Sequence, residues 1–169
     1  MEIGQAFIDR SIAYLKGDYF PKIRLAVEGL TDEDIWWRPN EASNSIGNLV
    51  LHLAGNVRQW VVSGIGGAPD IRKREEEFLA DGGYPAPELL SCLEQAVEAA
   101  EGVLSQLSPE ELLEPRVIQG MDVLALDALY HVVEHFSTHT GQIIYLAKLR
   151  TGEDLAFWEI KDGKAIPRW

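Results

Sequence analysis

An all-α chain, a four-helix bundle carrying short extra helices, is the fold that three features of the sequence predict. Four long stretches repeat apolar residues at turn-like spacing, capping residues or glycine and proline bound each of them, and no segment alternates with period two over a useful length. Four such stripes bury one another most simply in a bundle. At 169 residues and 46% hydrophobic, residues 1–169 are read as a single domain with room for one core.

The first helix is expected from about Ile3 to Gly29, where Phe7, Ile12, Leu15, Ile23 and Val27 share a face. Pro21 has no N–H to give and should kink it. Thr31 caps a short acidic turn that Trp36-Trp37-Arg38-Pro39 ends. The second helix starts at Asn44 or Ser45, both good N-caps, and carries Ile46, Leu49, Val50, Leu53, Val57, Trp60 and Val61 on one stripe to about Ser63.

Gly64, Gly66 and Gly67 break that helix, and the stretch to Pro87, with the charged run Arg72 to Glu77 and then Gly82-Gly83, reads as a mobile connection. Pro87 opens the third helix, whose Leu89, Leu93, Ala96, Val97, Ala100, Leu104 and Leu107 follow helical spacing up to Ser108. Ser108-Pro109-Glu110-Glu111 is a capping box that opens a further short helix. Pro115 to Met121 is a connection in which Arg116 to Ile118 suits extended backbone. Asp122 then caps a long fourth helix to about Arg150, closed by Thr151-Gly152.

Composition excludes several classes of function. Twenty-seven acidic residues against 15 basic ones give a net charge of −12, which repels phosphate backbones and anionic headgroups, and no basic cluster with interleaved aromatics offsets it. Neither a nucleic-acid nor a membrane partner is expected, and no apolar run approaches the roughly 18 residues of a membrane helix. Cys92 is the only cysteine, so neither an intramolecular disulfide nor a cysteine-based zinc site is available. The first residues, Met1-Glu2-Ile3-Gly4-Gln5, lack the pattern of a signal peptide, so a cytoplasmic location is expected.

The chemistry concentrates in the histidines. His131, His135 and His139 lie four residues apart on the fourth helix, a spacing that stacks side chains on one face. The apolar axis of that helix runs through Val132, Phe136, Ile143 and Ala147. His139 falls about 60° from it, His135 about 100° and His131 about 140°. On the second helix His52 sits about 60° from Leu49, at the border of the apolar stripe, where it can face a neighbouring helix. His52, His135 and His139 can therefore converge. Three imidazoles suit zinc, nickel, copper or iron(II) and leave at least one position for water or substrate, as catalytic zinc sites do. The bland alternative is that each is satisfied by a carbonyl or by water.

A different use of the same residues is the pattern H-x-x-E-H, His131 to His135, in which inverted zincin peptidases bind zinc through two histidines and use the glutamate as base. Glu134 and His131 point away from the apolar axis, and no third ligand is suggested.

Three segments resemble the DinB/YfiT-like metal-binding bundles: Ser45-Ile46-Gly47-Asn48-Leu49-Val50-Leu51-His52-Leu53, His135-Phe136-Ser137-Thr138-His139-Thr140-Gly141-Gln142-Ile143, and Trp36-Trp37-Arg38-Pro39. The resemblance runs from the first helix to about Arg150, and H-x3-H-x2-G-Q is its most specific part. It implies that a histidine of the second helix and an i, i+4 pair of the last bundle helix hold one divalent metal ion, zinc, nickel or iron, which here means His52, His135 and His139. His131 is not among the family's ligands. Relatives often carry a second histidine and an arginine after the last ligand, where this chain has only Thr140. The resemblance further implies transfer of low-molecular-weight thiols such as bacillithiol, or thiol-dependent isomerisation, and a homodimer.

The resulting expectation is a metal-dependent transferase or hydrolase acting on a small molecule, with a metal-bound thiol or water as nucleophile. The alternative is a non-catalytic bundle in which the cluster serves stability or sensing. Asn56, one turn beyond His52, and Gln142, on the same face as His135, are placed either to orient the ligands from behind or to serve as polar boundary residues. Cys92 is read as a small buried residue. The tail with Phe157, Trp158, Pro167 and Trp169 is expected to fold over the bundle or line the site mouth.

Overall fold

The computed structural model of the chain describes residues 2–169, and four long helical rods dominate it. The first rod is α1 (Ile3–Tyr14), a π-helical turn (Leu15–Tyr19) and α2 (Phe20–Val27) in one run. The π turn sits where the sequence called for a kink. The N–H of Phe20 reaches back to the carbonyl of Leu15, and this wider turn makes room for the ring of Pro21, which in an α-helix would press on the carbonyl four residues before it. After it comes α3 (Asp32–Trp36), capped by Thr31 in a reciprocal box with Asp34.

The second rod is α4 (Ile46–Val57) extended by a π-helical segment (Arg58–Ile65). Of the two expected caps it uses Ser45, whose hydroxyl accepts from the N–H of Asn48 while the Asn48 side chain accepts from the N–H of Ser45. The short helix α5 (Arg74–Leu79) follows. The third rod, α6 (Ala86–Leu104), buries Leu89, Leu93, Ala96, Val97, Ala100 and Leu104, the face its spacing marks. The fourth, α7 (Ala125–Thr151), buries Val132, Phe136, Ile143 and Ala147 and ends on Gly152, whose left-handed φ of 71° suits glycine.

Where the sequence suggested a connection with Arg116 to Ile118 extended, the structure has a full hairpin, β1 (Pro115–Ile118) and β2 (Met121–Leu124), paired antiparallel with Pro115 opposite Leu124. Asp122 consequently lies in a strand and not at the helix start, and the Asp127 carboxylate accepts the N–H of Leu124 instead. The hairpin docks because Gly64 leaves a gap: a Cβ there would stand 2.4 Å from Cδ1 of Ile118. Before the hairpin, the expected short helix is a 3₁₀ turn (Glu110–Leu113), with Ser108 and Glu111 bonded as in a capping box.

A second hairpin, β3 (Trp158–Lys161) and β4 (Lys164–Pro167), forms in the tail, which the sequence reading left without strands. Trp169 stands edge-on to Trp158 and covers the ammonium of Lys22 at 4.2 Å, so the tail does fold over the first rod. Among the described residues no helix is long and apolar enough to cross a membrane. The buried apolar side chains of all four rods form one contiguous core.

Candidate metal centre

Three of the four histidines meet between the second and fourth rods. The Nε2 atom of His52 lies 3.0 Å from Nε2 of His135, which lies 3.1 Å from Nε2 of His139, and one ligand nitrogen from each ring falls within 4.8 Å of the others. His52 is buried on α4; His135 and His139 are half-buried one turn apart on α7. This is the convergence that helical spacing and the apolar axis of α7 implied.

The other ring nitrogens fix the direction of the lone pairs. His52 Nδ1–H donates to Glu77 Oε2 at 2.9 Å, and His139 Nδ1–H donates to Gln142 Oε1 at 2.6 Å, which leaves the Nε2 of both rings bare and facing inward. Nδ1 of His135 is buried without a partner. Two Nε2–Nε2 contacts each need a donor, and only His135, whose Nδ1 has no partner, can supply one, so the rings alone leave an inward lone pair unsatisfied. A shared divalent cation fits that donor set.

Electrostatics favour neutral rings on α7. The pKa of His135 is pushed down to about 3, first by burial and then by the neighbouring imidazoles and Arg72, and burial also lowers those of His131 and His139. The sign of the pH effect follows. In the unfolded chain these rings take up protons below their ordinary value of 6.5, while in the folded protein they resist protonation, so stability is full above 6.5 and falls as pH drops toward 3. We expect the metal-free protein to lose melting temperature between pH 6.5 and 4.5, before its carboxylates titrate, and the His135→Ala variant to lose less. Thermal melts across that range check this.

Behind His52 lies a pair from the stretch that the sequence marks as a mobile connection. Arg72 and Glu77 are both buried, their side chains 4% and 10% exposed, and Arg72 donates to both carboxylate oxygens of Glu77 at 2.7 Å. Burial alone would raise the Glu77 carboxyl; the bonds from Arg72 and His52 outweigh it and hold the group below the usual carboxylate range. The signal that could have revealed the pair is Gly55, three residues after His52 on the same helix. A Cβ at Gly55 would stand 2.0 Å from Glu77 Oε1 and 2.9 Å from Arg72 Nε, so only glycine admits the pair. In the Gly55→Ala variant we expect the carboxylate to be driven off His52 and metal affinity to fall about tenfold or more, read by chelator competition.

The remaining expectations divide. Gln142 does back a ligand. Asn56 faces His131 instead, with its Nδ2 at 3.4 Å from Nε2 of that ring, and His131 leans on Trp60 at 4.2 Å between centroids. Glu134 is exposed and accepts from Thr138, so the H-x-x-E-H run places no glutamate beside a pair of converging ligand nitrogens. Cys92 is half-buried, not buried, and borders a separate cavity with Leu51, Arg58 and Tyr84. A cavity of about 420 Å³ opens directly on His52 and His135, walled by Asn56, Trp60, Arg74, Gln119, Asp127 and His131 among others. None of the tail residues lines that cavity.

Fold and site together define a helical bundle with a three-histidine cluster between two rods. The chain belongs to the family described as "Protein of unknown function (DUF1572)", whose model matches residues 2–164. Among solved structures it is similar to a DinB-like protein from Bacillus cereus ATCC 10987, with a TM-score of 0.67 and 16% identity over 88% of this chain and 93% of that one. It is also similar to a conserved protein from Enterococcus faecalis, with a TM-score of 0.66 and 16% identity over 90% of this chain and 99% of that one. The fold is therefore DinB-like. No curated protein matches the chain.

Proposed function

We propose that this protein is a metal-dependent enzyme acting on a small molecule, in which His52, His135 and His139 hold one divalent ion, zinc, nickel or iron. The observation that carries the reading is the convergence of three Nε2 atoms beside a cavity of about 420 Å³ that His52 and His135 line. When bound, the ion would lower the pKa of a thiol or water and so supply a nucleophile at neutral pH.

Gln142 and Glu77 keep the His139 and His52 rings in the tautomer whose Nε2 faces inward. His52 and His135 line the cavity, so the cluster meets it on their side. Arg74 and Asp127 put one charge of each sign on the cavity wall, and Trp60 with His131 gives it an aromatic face suited to a small organic molecule.

Thiol transfer is preferred to hydrolysis, on the resemblance of the sequence to bundles that use low-molecular-weight thiols, and a homodimer is proposed on the same ground; a cytoplasmic location is proposed on the single cysteine, which suits a reducing compartment. The test is cobalt substitution followed by titration with cysteine and with acetate. We expect a thiolate-to-cobalt absorption band with cysteine only. A cobalt spectrum that neither titrant alters would mean a closed coordination sphere and would favour the non-catalytic alternative, in which the ion stabilises the bundle.

A further inference from the structure

We infer that Glu77 and Arg72 are positioning residues for the metal centre: the carboxylate, locked by the guanidinium, holds His52 as its Nδ1–H tautomer and aims Nε2 at the other two histidines. The inference rests on the reading of His52 as a ligand.

Three observations carry it. The first is directionality. Glu77 Oε2 receives His52 Nδ1–H at 2.9 Å and Arg72 Nη2–H at 2.7 Å, while Oε1 receives Arg72 Nε–H at 2.7 Å. A carboxylate held on two sides by a planar guanidinium has little freedom to rotate, so its remaining lone pair has a fixed direction, and that direction is the imidazole. Arg72 Nη2 also lies 3.1 Å from His52 Nδ1, but a bare Nδ1 would set its lone pair against the acceptor-only Glu77 Oε2 at 2.9 Å; with the proton on Nδ1, both groups give to the shared oxygen.

The second is the effort made to bring the pair in. Asn48 Nδ2 donates to the carbonyls of Glu77 at 2.9 Å and Ala80 at 2.7 Å, and Arg38 donates to those of Phe78 and Ala80 at 3.1 and 3.2 Å, clamping α5 against α4. From the other side Gln59 accepts from Arg72 at 2.9 Å and from Gln119, in the turn of the first hairpin, at 2.5 Å. A polar chain thus runs from the wall of the cavity at Gln119 through Gln59, Arg72 and Glu77 to His52.

The third is energetic. A buried ion pair gains little or nothing over apolar side chains of the same size, so stability alone gives no reason for one here. A carboxylate behind a metal-binding imidazole, by contrast, fixes its tautomer and increases its strength as a ligand, and removal of such a partner costs 10- to 100-fold in affinity, about one to two orders of magnitude.

The experiment has two arms. In metal-free protein labelled with ¹⁵N in its histidines, the ring nitrogen shifts should report His52 as Nδ1–H, and in Glu77→Gln the Nε2–H form should gain population. In chelator competition with zinc, Glu77→Gln should bind about 10- to 100-fold more weakly than the parent. Should that variant not fold, the double variant Arg72→Met/Glu77→Leu, which leaves no unpaired buried charge, should fold and show both effects. A parent in which His52 is Nε2–H, or a folded variant with parental tautomer and affinity, would overturn the inference while leaving the three-histidine site intact. A parent that binds no zinc would overturn the metal reading instead, and the shift measurement alone would then decide the role of Glu77 at His52.

Discussion

In a His135→Ala variant, affinity for zinc, nickel or iron(II) is expected to fall by more than about a hundredfold, beyond what loss of a partner behind a ligand costs. Nε2 of His135 is the one close to both of the others, at 3.0 and 3.1 Å, so its removal leaves two nitrogens on separate helices with nothing between them. The same change should leave the bundle folded. The ring is half-buried and neutral, and its Nδ1 has no partner to orphan. A chelator-competition titration beside a thermal melt separates the two effects: affinity collapses while the melting temperature of the metal-free protein at pH 7 moves little.

The neighbouring residue should behave in the opposite way. Phe136 is fully buried on the face of α7 turned to the core, and it stacks on Tyr19 of the first rod at 6.0 Å between centroids. Phe136→Ala removes that surface from the core and leaves a cavity, for a loss of about 3–5 kcal/mol of folding stability. Urea unfolding measures it as a lower midpoint at unchanged slope. Under conditions where the variant is folded, metal stoichiometry should match the parent, because the Phe136 ring is turned to the core and supplies no ligand atom. Adjacent positions on one helix would then split cleanly into a site face and a core face.

That split explains why so much of the arrangement was legible in the sequence. Helical periodicity marks which way each side chain faces, and it placed Val132, Phe136, Ile143 and Ala147 in the core and His135 and His139 at its edge. Local capping chemistry was equally readable at Thr31 and Ser45. Periodicity says nothing about how a chain packs after it leaves a helix, and there the reading failed. Pro115 to Leu124 forms a hairpin because Ile118 finds a slot at Gly64, a tertiary contact with no local signature. Arg72 and Glu77 carry charge, and charge in a connection ordinarily means solvent; their burial depends on pairing with each other and on the missing side chain of Gly55. The tail hairpin is exposed along its whole length, so burial patterning left no trace of it.

The central claim is that His52, His135 and His139 hold one metal ion together. Elemental analysis of the natively purified protein, beside His52→Ala and His139→Ala, tests it most directly. About one equivalent of zinc, nickel or iron in the parent, lost from both variants, is the expected result. A parent that stays metal-free after reconstitution, or a His52→Ala protein that retains the ion as the parent does, would contradict it.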